Sequence, residues 1–101
     1  MRTDDPPEIV GPADQDPDTF VRISARDDRE LLTNTRRAAA SGLAPLVAPD
    51  EFADERDEWI ALAAAAIVEG AVALETRRAK DARRLLDMHR AIVTGGSELA
   101  P

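Results

Sequence analysis

Cysteine and tyrosine are both absent from this sequence. Without cysteine, disulfides and thiolate chemistry are excluded, which fits a reducing compartment. Aromatic residues are scarce, since the chain has only Phe20, Phe52 and Trp59, and alanine is its commonest apolar residue. About eighty foldable residues with such small apolar side chains build a shallow core. We therefore predict that the fold is stabilised by a second copy, most simply as a homodimer.

Groups for catalysis or metal binding are equally scarce. His89 is the only histidine, so a zinc ion would lack the imidazole and thiolate ligands that it prefers. The same histidine would have to act as the base for any serine nucleophile. No glycine-rich phosphate loop follows a strand pattern. The sequence therefore predicts a protein that is not an enzyme and that holds no metal or cofactor.

The longest apolar run covers residues 59–74, where fourteen of sixteen residues are apolar and the exceptions are Glu69 and Gly70. It is shorter than the roughly 18–20 residues of a membrane span, and Glu69 lies inside it. No secretory signal precedes it, because the N-terminal residues are acidic and polar. We expect a cytoplasmic protein without membrane contact, in which this run forms a helix buried on most of its circumference.

Acidic residues and prolines dominate the start of the chain. Residues 1–18 contain four prolines, six acids and one arginine, so they carry −5 of the total net charge of −7. Such a segment has little to bury, which predicts a disordered acidic leader. The remaining residues carry a net charge of −2, so the folded part is nearly neutral.

A strand pattern covers residues 19–25, TFVRISA, where successive side chains alternate between two faces. The backbone groups of a single strand need a partner, and we expect it to come from another copy of the chain. A helix pattern follows over residues 28–41. Asp27 or Asp28 supplies its N-cap, and Gly42 ends it.

This strand and capped helix resemble the opening of a ribbon-helix-helix transcription factor. In that family the strand pairs antiparallel with its counterpart in a second subunit, and the ribbon enters the DNA major groove. Carried over by position, the resemblance implies that Arg22, Ser24 and Arg26 contact double-stranded DNA. Val21 and Ile23 would anchor the ribbon to the helices.

After the first helix the chain departs from that family. Residues 43–50 make a longer connection, which two prolines would hold as a loop. Residues 50–58 contain six acids, which would repel a DNA phosphate. The alternative function is a non-enzymatic helical oligomerisation or interaction protein. Pairing of Arg22 and Arg26 with Asp27, Asp28 or Glu30 would favour this alternative, whereas free arginines on a two-stranded ribbon would favour DNA binding.

Residues 50–94 predict one long helix or a pair of helices. Small side chains recur through the apolar run at helical spacing, which favours a helix–helix contact within a subunit or across a dimer. Gly70 indicates either close packing or a break. Together with the strand, the predicted oligomer interface comprises Val21, Ile23, Trp59, Ala63, Ala66, Ile67 and Gly70.

A basic segment lies between Arg77 and Arg90, with six bases and two acids. It has two interpretations, the favourable positive end of a helix and a set of phosphate contacts. The phosphate contacts would be Arg77, Arg78, Lys80, Arg83 and Arg84. The apolar line of this helix comprises Ala82, Leu85, Leu86, His89, Ile92 and Val93.

The predicted fold is mainly α, with a short N-terminal strand that pairs between subunits and two or three helices. It would form either a dimer of ribbon-helix-helix type or a helical bundle. The helical domain would cover residues 19–95, between the disordered leader and a disordered tail at residues 96–101.

Overall fold

The computed structural model describes residues 6–12 and 15–99. In that part of the chain, three helices and a four-stranded mixed sheet form an α/β fold with about 55% helix and 16% strand. The predicted mainly α fold, as a ribbon-helix-helix dimer or a helical bundle, is therefore wrong. Three of the strands lie in segments whose sequence predicts a leader, a loop and a helix.

Three strands are parallel and each is followed by a helix, while the first strand pairs antiparallel at one edge of the sheet. The sheet order is β1-β4-β3-β2. In chain order the elements are β1 (Glu8–Val10), β2 (Phe20–Arg22), α1 (Asp28–Ala40), β3 (Ala44–Val47), α2 (Arg56–Val68), β4 (Ala73–Thr76) and α3 (Ala79–Leu99).

The strand predicted over residues 19–25 is β2, which is shorter than expected. It pairs parallel with β3 of the same chain, so that Val21 lies opposite Pro45 and Arg22 opposite Leu46. The pairing partner that we expected from a second copy is thus supplied within the chain. The predicted antiparallel ribbon between two copies is therefore wrong. The sequence led to it because β2 is the only strand that its residue pattern marks.

Helix α1 corresponds to the helix predicted over residues 28–41. Asp27 is its N-cap, and its carboxylate accepts a hydrogen bond from the Glu30 backbone N–H at 2.8 Å. Leu31 and Thr35 are the buried positions of the helix. Gly42 follows the C-terminus at φ +83°, the left-handed conformation that favours glycine at a helix end.

The long helix or helix pair predicted over residues 50–94 is instead α2, β4 and α3. Gly70 ends the first helical stretch at φ +120°, and a Cβ there would lie 2.5 Å from the Ala39 Cβ. Both interpretations of Gly70 therefore hold, since it is a break and a point of close packing. The prediction failed after Gly70 because a buried strand and a buried helix are both continuous apolar runs, which periodicity cannot distinguish.

The predicted leader and loop also contain strands. Residues 8–10 of the leader form β1 beside β4, while residues 1–5 and 13–14 lie outside the described residues. The predicted loop contains β3, a central strand that includes Pro45, although proline is usual only at sheet edges. At the other end, α3 continues to Leu99 through most of the predicted tail, and residues 100–101 are not described.

The helices form a single layer on one face of the sheet. α2 packs between α1 and α3, and one apolar core joins the three helices to the sheet. Leu74 on β4 faces this core and lies opposite Val10 and Val47 on the neighbouring strands. Because side chains alternate along a strand, Arg22, Leu46 and Glu75 belong to the opposite face, which carries no helix.

Candidate functional site

Ligand sites in sheets of parallel strands commonly lie beyond the carboxyl ends of the strands. At this edge Asp50 lies in a 3-10 turn over Pro49–Glu51. Its carboxylate accepts hydrogen bonds from Trp59 Nε1 at 2.7 Å and Thr76 Oγ1 at 2.6 Å. It also accepts one from the Arg77 backbone N–H at 2.9 Å. Asp50 therefore joins the ends of β3 and β4 to α2, and the protein's own donors occupy its oxygens.

A second polar cluster at this edge surrounds Arg22. Its guanidinium donates to Glu51 Oε2 at 2.9 Å and also to Glu75 Oε1. Arg22 lies on β2 and Glu75 on β4, so this contact spans the intervening strand β3 on the sheet face without helices. The first residue predicted to contact DNA is thus held in an ion-pair network within the chain.

The other two predicted DNA contacts lie between β2 and α1. Arg26 donates from Nη2 and Nε to Glu30 Oε2 at 3.0 and 3.1 Å, and this hydrogen bonding raises the pKa of Arg26. Ser24 is exposed, and its backbone carbonyl accepts a hydrogen bond from Asn34 Nδ2 at 3.0 Å. Arg26 therefore pairs with Glu30, one of the acids named in the sequence analysis, whereas Arg22 pairs with two acids that it did not name, Glu51 and Glu75.

Most residues of the predicted oligomer interface lie inside the chain. Val21 is 37% exposed, while Gly70 packs against Ala39 of α1. The buried members belong to the core between the helices and the sheet, so a second folded copy would not reach them. The buried members of the set are Ile23, Trp59, Ala63, Ala66 and Ile67.

The basic segment begins at the carboxyl edge and continues along α3. Arg78 donates from Nη2 to the Asp54 carbonyl at 2.8 Å, so it holds the turn before α2. Lys80, Arg83 and Arg84 are exposed on α3 and make no ion pair with any described residue. These three predicted phosphate contacts share one side of α3, because their spacing of three and four residues is that of helical neighbours.

A cleft lies between α3 and the turn that joins α2 to β4. Its volume is about 350 Å³. The apolar part of its lining comprises Gly11, Pro12, Ile67, Gly70, Ala71, Val72 and Leu86. The polar part comprises Arg83, Asp87, His89 and Arg90, all on α3. The sequence did not predict this cleft, because its residues come from three segments that meet only in the α/β fold.

Exposed apolar side chains also occur at the end of α2 and in the second half of α3. Val68 at the end of α2 is 73% exposed, and Ile92 of α3 is 66% exposed. Met88 and Val93 are also more than half exposed. The sequence predicts that Ile92, Val93 and His89 lie on the apolar line of this helix, and all three are exposed. The part of α3 that packs on the core ends before these residues, because Leu85 and Leu86 are the last half-buried positions within residues 79–93.

Other kinds of site receive no support from the described part of the chain. Residues 6–12 and 15–99 contain no group of three or more histidine and acidic residues that could hold a metal ion. No helix in these residues has the length and apolar character needed to cross a membrane. Comparisons of the chain with protein-family models, curated proteins and solved structures found no match.

Proposed function

We propose that this chain is a non-enzymatic interaction protein that assembles as a homodimer through the far end of α3. The observation that carries the proposal is the exposure of Met88, Ile92 and Val93, with Val68 at the end of the neighbouring helix. Burying an aliphatic side chain of this size contributes about 1.5–3 kcal/mol. Burial of these exposed side chains in a dimer would therefore supply stabilisation that the small core of a single copy does not provide.

Twofold symmetry would use the patch twice. In an isologous dimer the same surface of both copies meets, so every apolar side chain that becomes buried counts for each subunit. Met88 and Ile92 are four residues apart and share one side of α3. In an antiparallel pair of α3 helices centred near Arg90, Met88 of each copy would face Ile92 of the other. The chain would work in the cytoplasm, in keeping with its lack of cysteine.

Two isoleucines make a matched test of this surface. Ile92 on α3 and Ile9 on β1 are 66% and 50% exposed. We expect Ile92→Thr to raise the dimer dissociation constant about tenfold or more, because two copies of the change remove about 1.4 kcal/mol or more in total. Ile9→Thr should leave the constant unchanged. Sedimentation velocity over a range of concentrations measures both.

Two outcomes would contradict the proposed dimer. The first is a wild-type chain that remains monomeric at all accessible concentrations. The second is equal weakening by Ile9→Thr and Ile92→Thr, which would move the contact to the sheet. Circular dichroism spectra of the two variants should match that of the wild type, so that a loss of dimer is not a loss of fold.

A second candidate function is DNA binding, as the ribbon-helix-helix resemblance implied. The supporting observation is the exposed basic side of α3, with Lys80, Arg83 and Arg84, and it differs from the ribbon of Arg22 and Arg26. The test is binding of duplex DNA at several salt concentrations. Loss of salt-dependent binding in an Arg83→Ala, Arg84→Ala variant would support α3 contacts. Loss in an Arg22→Ala, Arg26→Ala variant would instead place the DNA contacts on β2 and the segment before α1, and no binding at low salt would exclude both surfaces.

A further inference from the structure

We propose that the cleft between α3 and the α2–β4 turn is a binding site for a small apolar carboxylate, such as a fatty acid of medium chain length. Its volume of about 350 Å³ is near the lower end of the range of small-molecule sites. The site is complete within one copy of the chain. It does not depend on the proposed dimer, because Met88 and Ile92 are each two residues from Leu86 or Arg90 of the cleft and so lie on a different side of α3.

The floor of the cleft suits a hydrocarbon chain. Ile67 and Ala71 are each 5% exposed, and Leu86 is half-buried beside them. An apolar ligand lying on these side chains would remove its own hydrocarbon surface and part of Leu86 from water, which is favourable in proportion to the area. The floor therefore recognises the apolar part of the ligand without a polar partner.

Close packing behind the floor keeps the cleft in shape. A Cβ on Gly70 would lie 2.5 Å from the Ala39 Cβ, so the turn is pressed against α1 and not toward α3. On the other side, a Cβ on Gly11 would lie 3.0 Å from the Ala73 Cβ and 3.3 Å from the Phe20 ring. Both walls are thus fixed by contacts with the rest of the fold, and little ordering is needed on binding.

Two arginines supply the charge that selects a carboxylate. Arg83 and Arg90 are exposed, line the cleft, and form no ion pair with any residue from the described ranges. They are two helical turns apart, or about 10 Å along the axis. A guanidinium can donate two parallel hydrogen bonds to one carboxylate, which a single ammonium group cannot match.

Asp87 lies between these arginines on the same side of α3 and also lines the cleft. Its carboxylate repels an anionic head group, so the wild-type site should bind such a ligand weakly. Substitution of Asp87 therefore tests whether the ligand is an anion or a cation. Asp87→Asn should tighten the binding of a carboxylate, whereas a site for cations would be weakened by the same change.

Octanoate, used below its micelle concentration, is a direct probe of the site. Titration of the full chain, followed by backbone amide shifts, should give saturable changes at Ala71, Val72 and Leu86. Octylammonium has the same chain length with the opposite charge and should not bind there. Arg83→Gln and Arg90→Gln should each weaken octanoate binding about two- to fivefold, the range of exposed ion pairs. Asp87→Asn should strengthen it by a similar factor.

Arg84→Gln is the matched control, because Arg84 is an exposed arginine of the same helix that does not line the cleft. It should bind octanoate like the wild type. The proposal is overturned if octylammonium binds as well as octanoate, if no saturable shifts occur, or if the Arg83 and Arg90 variants bind like the Arg84 variant. Repeating the titration on Ile92→Thr separates the two proposals, because that variant should lose the dimer and keep the ligand.

Discussion

The carboxyl edge of the sheet and the outer side of α3 differ in how their polar groups are used. At the carboxyl edge Arg22 pairs with Glu51 and Glu75, and Asp50 accepts three hydrogen bonds. On α3 Arg83 and Arg90 have no ion-pair partner among the described residues, and they line a cleft. The edge where α/β proteins usually bind ligands is therefore closed by the chain's own side chains. On α3, in contrast, exposed charged groups remain available to other molecules.

If the carboxyl edge is structural, loss of Asp50 should strongly destabilise the fold. Asp50→Ala would leave the Trp59 N–H and the Thr76 hydroxyl without their acceptor, and both residues are 0% exposed. A buried donor without a partner costs about 1–3 kcal/mol, so we expect a loss of about 3 kcal/mol in the free energy of unfolding. Urea denaturation of the wild type and the variant measures this difference.

The neighbouring acid Glu51 is the control for that experiment. Its side chain is 55% exposed and pairs with Arg22, which also has Glu75 as a partner. Glu51→Ala should therefore cost less than about 1 kcal/mol, as is usual for an exposed ion pair. Equal effects of the two substitutions would show that Asp50 has no special place in the fold, and the carboxyl edge would then be open to a functional role.

On the side of α3, rigidity of the cleft can be tested at Gly70. Gly70→Ala combines an unfavourable φ of +120° with a Cβ that would lie 2.5 Å from the Ala39 Cβ. We expect a loss of about 2 kcal/mol or more, since both strain and overpacking contribute. Gly42→Ala has the strain of φ +83° with nothing within 4 Å, so it should cost about 1 kcal/mol. Thermal or urea unfolding that gave equal losses would mean that α1 yields to the extra methyl group.

The exposed end of α3 should matter little to the stability of one copy. Ile92 is 66% exposed and Ile67 is 5% exposed, although both are isoleucines on neighbouring helices. Measured at concentrations where the chain is monomeric, Ile92→Ala should change the free energy of unfolding by less than about 0.5 kcal/mol. Ile67→Ala should cost about 2–5 kcal/mol. A large loss at Ile92 would mean that the end of α3 packs on its own chain.

Local signals were sufficient for part of this fold. Asp27 and Gly42 mark the ends of α1 by capping chemistry that depends on a few adjacent residues. The alternation around Val21 and Ile23 marks β2 for the same reason. β1, β3 and β4 are as short as β2, but they were missed because EIV, APLV and ALET lack the alternation of apolar and polar side chains that marks β2. Their strand character comes from neighbours distant in the sequence, and Pro45 argued against the central strand.

The candidate site was harder to predict than the fold. The basic segment on α3 is visible in the sequence, and its exposed bases are where a helix pattern puts them. The cleft needs Gly11 and Ile67 beside Arg83, which requires knowing that β1 pairs with β4 and that α2 ends at Val68. For Arg22 the sequence prediction failed in the opposite way, because it treated a paired side chain as available for DNA. Its partners Glu51 and Glu75 lie 29 and 53 residues away, so sequence alone gave it no reason to be paired.

The ion pair between Arg56 of α2 and Asp81 of α3 links these helices and gives the smallest effect that we expect. Hydrogen bonding to Arg56, at 3.0 and 3.2 Å, lowers the pKa of Asp81, and burial opposes this shift only in part. A carboxyl group with a lowered pKa in the folded state stabilises the fold above its unfolded pKa of about 3.9, and loses that contribution as pH falls through the folded value. Asp81→Asn should therefore be slightly less stable than the wild type at neutral pH, with the difference vanishing in acid. Urea denaturation at a series of pH values measures this. A difference that stays constant down to the most acidic pH would show that Asp81 acts through packing and not through its charge.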